Sequence, residues 1–260
     1  METGWYDIDN ESYHMSKGIS STALKLMCDC PYKYKNRKAM TKTPALQLGS
    51  RVHGALLGDA PELVVVPKFD RRTKAGKLAY TEFYEQYSDT CYDFCTLEEY
   101  EVVTAMRNAV LAHSDAAALL DGGVYEQAGY YESECYGLLK VKPDIRRDDM
   151  GMIADVKTIG TSASPDVFTR QAMNLHYHMS AAFYMDISSA IAEPQYDKWV
   201  WIVVESKPPH TVAVYYASTE MIERGRELYV SALDKLIKCK NADEWPAYPT
   251  QMLQLPTWAQ

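Results

Sequence analysis

The sequence predicts an α/β protein with a central mixed β-sheet flanked by helices, and three observations carry that prediction. Residues 137–158 alternate apolar and polar side chains at period two on both sides of the turn Asp148-Asp149-Met150-Gly151. Helical periodicity comes before and after that stretch, and an apolar strand-like run, Trp199–Glu205, lies beyond it. No Ser/Gly/Pro-rich linker, low-complexity run or internal repeat divides the 260 residues. One domain over 1–260 is therefore expected, with a helical part at about 19–120 and a core at about 121–238.

Taken in order, residues 1–19 are polar and aromatic and read as an extended lead-in. Ser20-Ser21-Thr22 caps a helix carrying Leu24, Leu26 and Met27, which stops near Cys30-Pro31. Basic and aromatic residues interleave from Tyr32 to Lys38, with Lys42 soon after. That stretch suits backbone phosphates and stacked bases, and equally a solvated helix face. Thr43-Pro44 opens a helix to Leu57 with the stripe Leu48, Val52, Ala55 and Leu56. His53 sits beside the stripe, and a lone helix histidine is usually structural. Val64–Pro67 reads as a short strand. Phe69–Lys77 reads as a loop whose Arg71, Arg72, Lys74 and Lys77 are candidates to contact the phosphates of a polyanion, with Gly76 allowing close backbone approach.

Residues 78–120 read as helices whose Tyr80, Phe83, Tyr84 and Tyr87, then Val102, Val103, Met106 and Val110, belong to the core. Residues 124–132 read as one strand. Ser164-Pro165-Asp166 starts a helical stretch to residue 191, broken around Asn174–Tyr177. Strands at Trp199–Glu205 and Val212–Tyr216 follow, then a Ser218-capped helix to about Lys238 and an irregular tail from Trp245.

The chemistry lies in residues 137–158. Leu139, Val141 and Ile145 face one way, and Lys140, Lys142 and Asp144 the other; after the turn, Asp155 and Lys157 share the polar face. Two carboxylates brought close repel each other and are most stable with a divalent cation between them. Oxygen ligands select Mg²⁺, with Mn²⁺ as the alternative. An ammonium two residues from Asp155 can hold a water beside that cation. Phosphodiester hydrolysis needs these parts.

Pro143-Asp144 followed by Asp155-Val156-Lys157 resembles the PD-(D/E)xK nuclease signature, and the segments Gly137–Asp144 and Ile153–Thr158 are similar to its phage RecE-like (exonuclease VIII) branch. The resemblance runs from about Ile19 to Tyr216 and implies the restriction-endonuclease-like core. It implies that Gly49 and His53 match a Gly-x-x-x-His motif whose histidine ligates metal. It makes Glu126, on the strand before the hairpin, an acidic residue near the metals, and the Val156 carbonyl a ligand beside His53, Asp144 and Asp155. Tyr184 matches the tyrosine of a Gln-x-x-x-Tyr motif and is expected to face DNA. Ser180 stands where that motif has glutamine, which puts the motif's usual contact in doubt.

The implied activity is Mg²⁺-dependent digestion of double-stranded DNA ends, 5′ to 3′, for phage-type recombination. A homotetramer and a RecT-like single-strand annealing partner are implied with it. An endonuclease, a 3′-directed nuclease, or a decayed DNA-binding module remain the alternatives.

The formal net charge of −8 argues against broad coating of nucleic acid but allows a local basic groove. No apolar run approaches the ~20 residues of a membrane span, and the N-terminus has no signal pattern, so a cytoplasmic protein in a bacterial host cell is expected. The six cysteines are then expected to be reduced thiols. Neither their spacing nor the lone late Cys239 fits a zinc or iron–sulfur site.

Overall fold

In the computed structural model, which describes residues 1–38, 43–58, 60–88 and 92–255, the chain builds from its described residues three sheets that share no strand: a larger one of five strands, a smaller one of three and a two-stranded pair. It begins with strand β1 (Gly4–Tyr6) and helices α1 (Asn10–Met15), α2 (Ser21–Asp29), α3 (Pro31–Lys35) and α4 (Pro44–Leu57). Strand β2 (Glu62–Val65), helix α5 (Lys74–Gln86), strand β3 (Tyr92–Cys95) and helices α6 (Leu97–Ala112) and α7 (Ser114–Leu120) follow. Next come strands β4 (Val124–Tyr125), β5 (Ala128–Ser133), β6 (Gly137–Val141), β7 (Ile145–Arg147) and β8 (Met152–Ile159). Helices α8 (Pro165–Asn174) and α9 (Tyr177–Ile191), strands β9 (Lys198–Glu205) and β10 (Val212–Tyr216), and helix α10 (Thr219–Ala242) complete it.

The larger sheet has the order β10-β9-β8-β7-β4, with β8 parallel to β9 and the other pairs antiparallel. A parallel pair needs a crossover, and α8–α9 provides it. Strand β9 is buried on both faces, which is why Trp199–Val204 reads as an unbroken apolar run. Its odd residues Trp199, Trp201 and Val203 enter the core formed with α2, α9 and α10. Its even residues Val200, Ile202 and Val204 enter a second core formed with α4, α6 and α7. Strand β8 divides the same way, with Ile153 and Ile159 in the first core and Met152, Ala154 and Val156 in the second. Asp155 and Lys157, at odd positions, therefore lie on the face of α2 and α9.

Several expectations are corrected. Residues 137–158 are not one hairpin: β6 pairs with β5 in a sheet of order β1-β5-β6, and only 145–147 pair with 152–154. Residues 124–132 are two strands, β4 in the larger sheet and β5 in the smaller, separated at Glu126 by a left-handed backbone turn (φ +49°). The N-terminal residues fold: Gly4–Tyr6 pair with Ala128–Tyr130 and Asp9 caps α1. Strand β3 interrupts the stretch read as helical, because Tyr92–Cys95 pair in parallel with Glu62–Val65.

The supposed loop at 69–77 is a turn and a helix start. Thr73 accepts the Gly76 N–H at 3.0 Å and caps α5, so Lys74 and Lys77 are helical. Gly76 serves the turn itself, since a Cβ there would collide with the Asp70 carbonyl. Its freedom is spent on the protein's own backbone. The aromatic residues of α5 pack on Phe69 and Phe94 as a separate half-buried cluster outside both main cores.

The other turns and breaks stand where the sequence places them. Gly151 closes the β7–β8 turn at φ +59°, where a Cβ would lie 2.8 Å from the Gln195 carbonyl oxygen. The 166–191 stretch breaks at Leu175-His176. Lys42, Cys91 and the tail beyond Leu255 lie outside the described residues. The five described cysteines are unpaired thiols.

Helix α10 lies against α9 with Gly225 facing the His178 carbonyl, where a Cβ would collide with backbone. Gly225→Ala should therefore force the two helices apart and lower stability by about 1–3 kcal/mol despite alanine's higher helix propensity. Chemical denaturation of the variant tests this, and a gain in stability would show that the helices can separate freely.

Candidate active site

The site forms where the chain passes between the five-stranded and the three-stranded sheet. Val141 ends β6 in the smaller sheet and Ile145 begins β7 in the larger, with Pro143 between them unable to donate to either ladder. Beyond Ala154, β8 has no β7 partner, so the Val156 backbone faces the gap. Asp144 fills it: its Oδ2 accepts the Val156 N–H at 2.8 Å. Glu126 marks the other crossing, and its N–H donates to the Asp144 carbonyl at 3.2 Å. Its left-handed backbone is costly for a non-glycine residue, and such strain clusters at functional sites.

His53 reaches the same place from α4. Its Nε2 lies 2.8 Å from the Val156 carbonyl oxygen, which can only accept, so Nε2 carries the proton. Nδ1 then faces the acids, 3.6 Å from Asp144 Oδ2 and 3.8 Å from Glu126 Oε1. One donor atom from each of His53, Glu126 and Asp144 lies within 4.8 Å of the other two. Burial opposes a charged imidazole, but Asp144 and Glu126 outweigh it and raise His53 to about 9. The field that favours a proton there also favours a metal cation.

Asp155 and Lys157, two residues apart on β8, form the other half of the site. The Lys157 ammonium straddles the Asp155 carboxylate, 2.6 Å from each oxygen, and only its contact with Oδ1 has hydrogen-bond geometry. Asp155 Oδ2 is buried with no hydrogen bond among the described residues. Burial and then the nearby Asp144 push the Asp155 carboxyl up, against the pull of Lys157. Burial also works against the Lys157 ammonium, but Asp155 and Asp144 prevail and keep it firmly protonated. Carboxylates from Asp144 and Asp155 beside the imidazole of His53 fit a divalent cation with oxygen and nitrogen ligands. Asp144, Asp155 and His53 could hold such an ion, with Glu126 completing the set. The Val156 carbonyl is engaged by His53, with the Lys157 ammonium 3.5 Å away.

Two further groups were not singled out in the sequence. Lys142 is buried with its ammonium 3.4 Å from Glu126 Oε2 and 2.8 Å from Asn10 Oδ1. The signal for it was visible: a lysine two residues before Asp144, on the same face. Nothing in the sequence tied Asn10 to it. Tyr184, half-buried on α9, packs edge-on against Trp199 with centroids 6.0 Å apart. Burial first, then Asp144 and Asp155, raise its hydroxyl to about 12. Tyr184 therefore stands at the site.

The cations expected to face DNA are on the α5 turn. Arg71, Arg72, Lys74 and Lys77 are exposed, and among the described residues no hydrogen bond or ion pair joins them to the site. Arg72 pairs with Asp70 at 2.9 Å, and the Arg71 guanidinium lies 4.4 Å from the Tyr80 ring centroid. The basic stretch after Tyr32 is occupied with internal contacts. Lys33 pairs with Asp29 at 2.7 Å, Lys35 with Asp243 at 3.4 Å, and Arg37 lies over Tyr34.

Removing Lys142 would leave Glu126 beside Asp144 without its ammonium. Lys142→Met should cost about 3 kcal/mol in the metal-free protein, with much of that recovered in the Lys142→Met/Glu126→Gln double variant. Equal stability of single and double variants in urea melts would show that the pair is not coupled. Mg²⁺ or Mn²⁺ should raise the melting temperature, by about 2.7 kcal/mol of stability at a hundredfold excess over Kd. Asp144→Asn should remove that increment. An undiminished shift in the variant would place the ion elsewhere.

Comparison with known proteins agrees with this architecture. Among curated proteins none matches. A solved structure from Eubacterium rectale, provisionally named an exonuclease, superposes with a TM-score of 0.66 at 12% identity, covering 96% of each chain. A phage-related exonuclease from Haemophilus somnus 129PT gives a TM-score of 0.37 at 13% identity, over 75% of this chain and 96% of that one. Residues 20–253 match the profile of DUF3799, a PDDEXK-like domain of unknown function. The chain belongs to that PDDEXK-like family.

Proposed function

We propose that this protein is a divalent-metal-dependent deoxyribonuclease that degrades double-stranded DNA from its ends. The observation that carries the reading is the meeting of His53, Glu126 and Asp144 at one point, beside a half-buried Asp155–Lys157 ion pair. His53, Asp144, Asp155 and the Val156 carbonyl would hold a Mg²⁺ ion, and Glu126 would help to hold that ion or a second. When bound, the ion supplies Lewis acidity to a phosphoryl oxygen and to the attacking water.

The chain's own residues do the rest. Lys157, protonated and fixed by Asp155, holds the water in line with the scissile bond and stabilises charge at the phosphate. Lys142 keeps Glu126 turned to the centre. His53 donates through Nε2 to Val156 and so keeps Nδ1 aimed at the ion. Tyr184 contacts the strand from α9.

The finer reading rests on the RecE-like motifs: 5′-to-3′ polarity, a role in phage-type recombination in a bacterial cytoplasm, a tetramer, and a RecT-like annealing partner. Arg71, Arg72, Lys74 and Lys77 are assigned to phosphates of the incoming duplex, a contact that must compete with Asp70 at Arg72.

Linear duplex labelled at each end, together with circular duplex, tests the function. Metal-dependent loss of the 5′ label first, with the circle intact, is expected. Cutting of the circle would make the protein an endonuclease, and early loss of the 3′ label would reverse its polarity. Asp144→Ala and Asp155→Ala should each abolish cleavage in folded protein, since each removes a ligand oxygen and the neighbouring carboxylates are already part of the same centre. Neutralising the four cations of the α5 turn should make the salt dependence of DNA binding shallower by up to about 0.9 per lost phosphate contact. An unchanged slope would mark that turn as solvated surface.

A further inference from the structure

Two lysines meet the same tyrosine ring at the edge of the site. Tyr177 opens α9, directly after the left-handed turn at His176 (φ +53°). Its ring centroid lies 5.3 Å from the Lys157 ammonium and 5.1 Å from that of Lys25. The position of Lys25 is fixed by its helix. Ser20 caps α2, and Leu24 and Met27, both fully buried, lock the helix rotation.

The two ammoniums are not in the same state. Lys157 is neutralised by Asp155 at 2.6 Å. Lys25 is partly buried and makes no hydrogen bond or ion pair to any described residue. Its charged neighbours are Lys157, which repels it, and Asp155, which is already engaged. Burial first, then Lys157, lowers it to about 8. The contact with Tyr177 compensates such a cation only in part. A desolvated ammonium without a carboxylate is unfavourable in the resting protein. It becomes favourable when an anion arrives from outside.

We propose that Lys25 is a substrate-binding residue whose ammonium takes a non-bridging phosphate oxygen of the strand held at the Asp144–Asp155 centre, alongside Lys157. The assignment rests on the nuclease reading and adds to it a contact from α2, in the helical part of the chain. The ligand chemistry is that of a phosphate group. Lys157 is held by Asp155 at 2.6 Å, whereas Lys25 has no carboxylate partner among the described residues and so brings a charge that the polynucleotide can meet.

The test uses the full chain with Lys25→Met, which keeps the length and apolar stem, and with Lys25→Arg, which keeps the charge. Binding of end-labelled duplex is followed by anisotropy with Ca²⁺ across a salt series, turnover with Mg²⁺, and folding by a thermal melt. Lys25→Met should melt no lower than the wild type, because an uncompensated cation has been removed. It should bind duplex about tenfold more weakly at moderate salt, with a log–log salt slope shallower by about 0.9. Its kcat at saturating DNA should stay within about threefold of the wild type, as expected for ground-state binding, and Lys25→Arg should restore most of the affinity.

Unchanged affinity and slope in Lys25→Met overturn the assignment. So does a lowered melt in Lys25→Met, which would make the lysine structural. A parallel titration with inorganic phosphate separates a polynucleotide contact from a small-anion pocket. Lys25-dependent protection by phosphate alone, with DNA affinity unchanged, also overturns the assignment. A wild-type protein that binds no duplex with any metal overturns the nuclease reading and this assignment together. Wild-type binding with an unaltered Lys25→Met slope overturns the assignment alone.

Discussion

The site depends on one topological constraint: the chain passes between its five-stranded and three-stranded sheets at Glu126 and again at Asp144, and the crossings touch. The Glu126 N–H bonds the Asp144 carbonyl, so the two acids cannot move apart without breaking the junction. At a crossing a residue leaves one ladder before joining the next, so its neighbours have unpaired backbone groups. Here those groups belong to Val156, and the side chains that satisfy them are Asp144 and His53. The same hydrogen bonds complete the sheet and aim the ligands. This links folding to chemistry: a strand register that fails to seat Val156 also fails to orient Asp144.

Buried charge around that junction is balanced in layers. Asp155 is matched by Lys157, and Glu126 by Lys142. Lys140, one layer further out, donates to the Tyr13 and Ser16 carbonyls and fastens α1 over the smaller sheet. The excess is left at Asp144, whose neighbours are a histidine and two other carboxylates. Repulsion there is relieved by a proton on His53 or by a cation. Two lysines therefore hold the surroundings together so that a third set of groups can stay under-neutralised.

The acids and the lysine were legible because period-two alternation survives in β8: Asp155 and Lys157 share a face whatever the sheet around them. His53 was legible only through its motif, since spacing alone gives a helix residue beside an apolar stripe. The junction was hidden. Alternation continues across residues 137–145 as if through a single strand, and nothing in Val141–Ile145 except Pro143 announces a change of sheet. Glu126 was hidden as a break for the same reason, because its left-handed backbone has no glycine to mark it. Asn10 and Tyr13 lie more than a hundred residues from the groups they support, a separation that local patterning cannot bridge. Gly76 misled in the opposite sense: a glycine among cations suggests approach to phosphate, but the atom approached is the Asp70 carbonyl oxygen.

A chain with an excess of eight acidic groups can still hold a polyanion if its cations are not all committed internally. Most of the charged pairs are committed, and they are structural. Arg51 is clamped by Asp93 and Glu99 between α4, β3 and α6. Arg226 joins Asp186 across α9 and α10, and Arg147 folds back on Asp149 at the turn. The basic stretch after Tyr32 is bound to Asp29, Asp243 and the rings of Trp245 and Tyr248. Composition counts all of these as positive charge, but an arginine already bidentate to a carboxylate contributes little field outside its pair. What matters for an anion is the uncommitted remainder, and among the described residues Lys25 belongs to it. Net charge therefore describes how the whole molecule repels DNA at long range, whereas the pairing of individual cations decides where a strand can be held once it arrives.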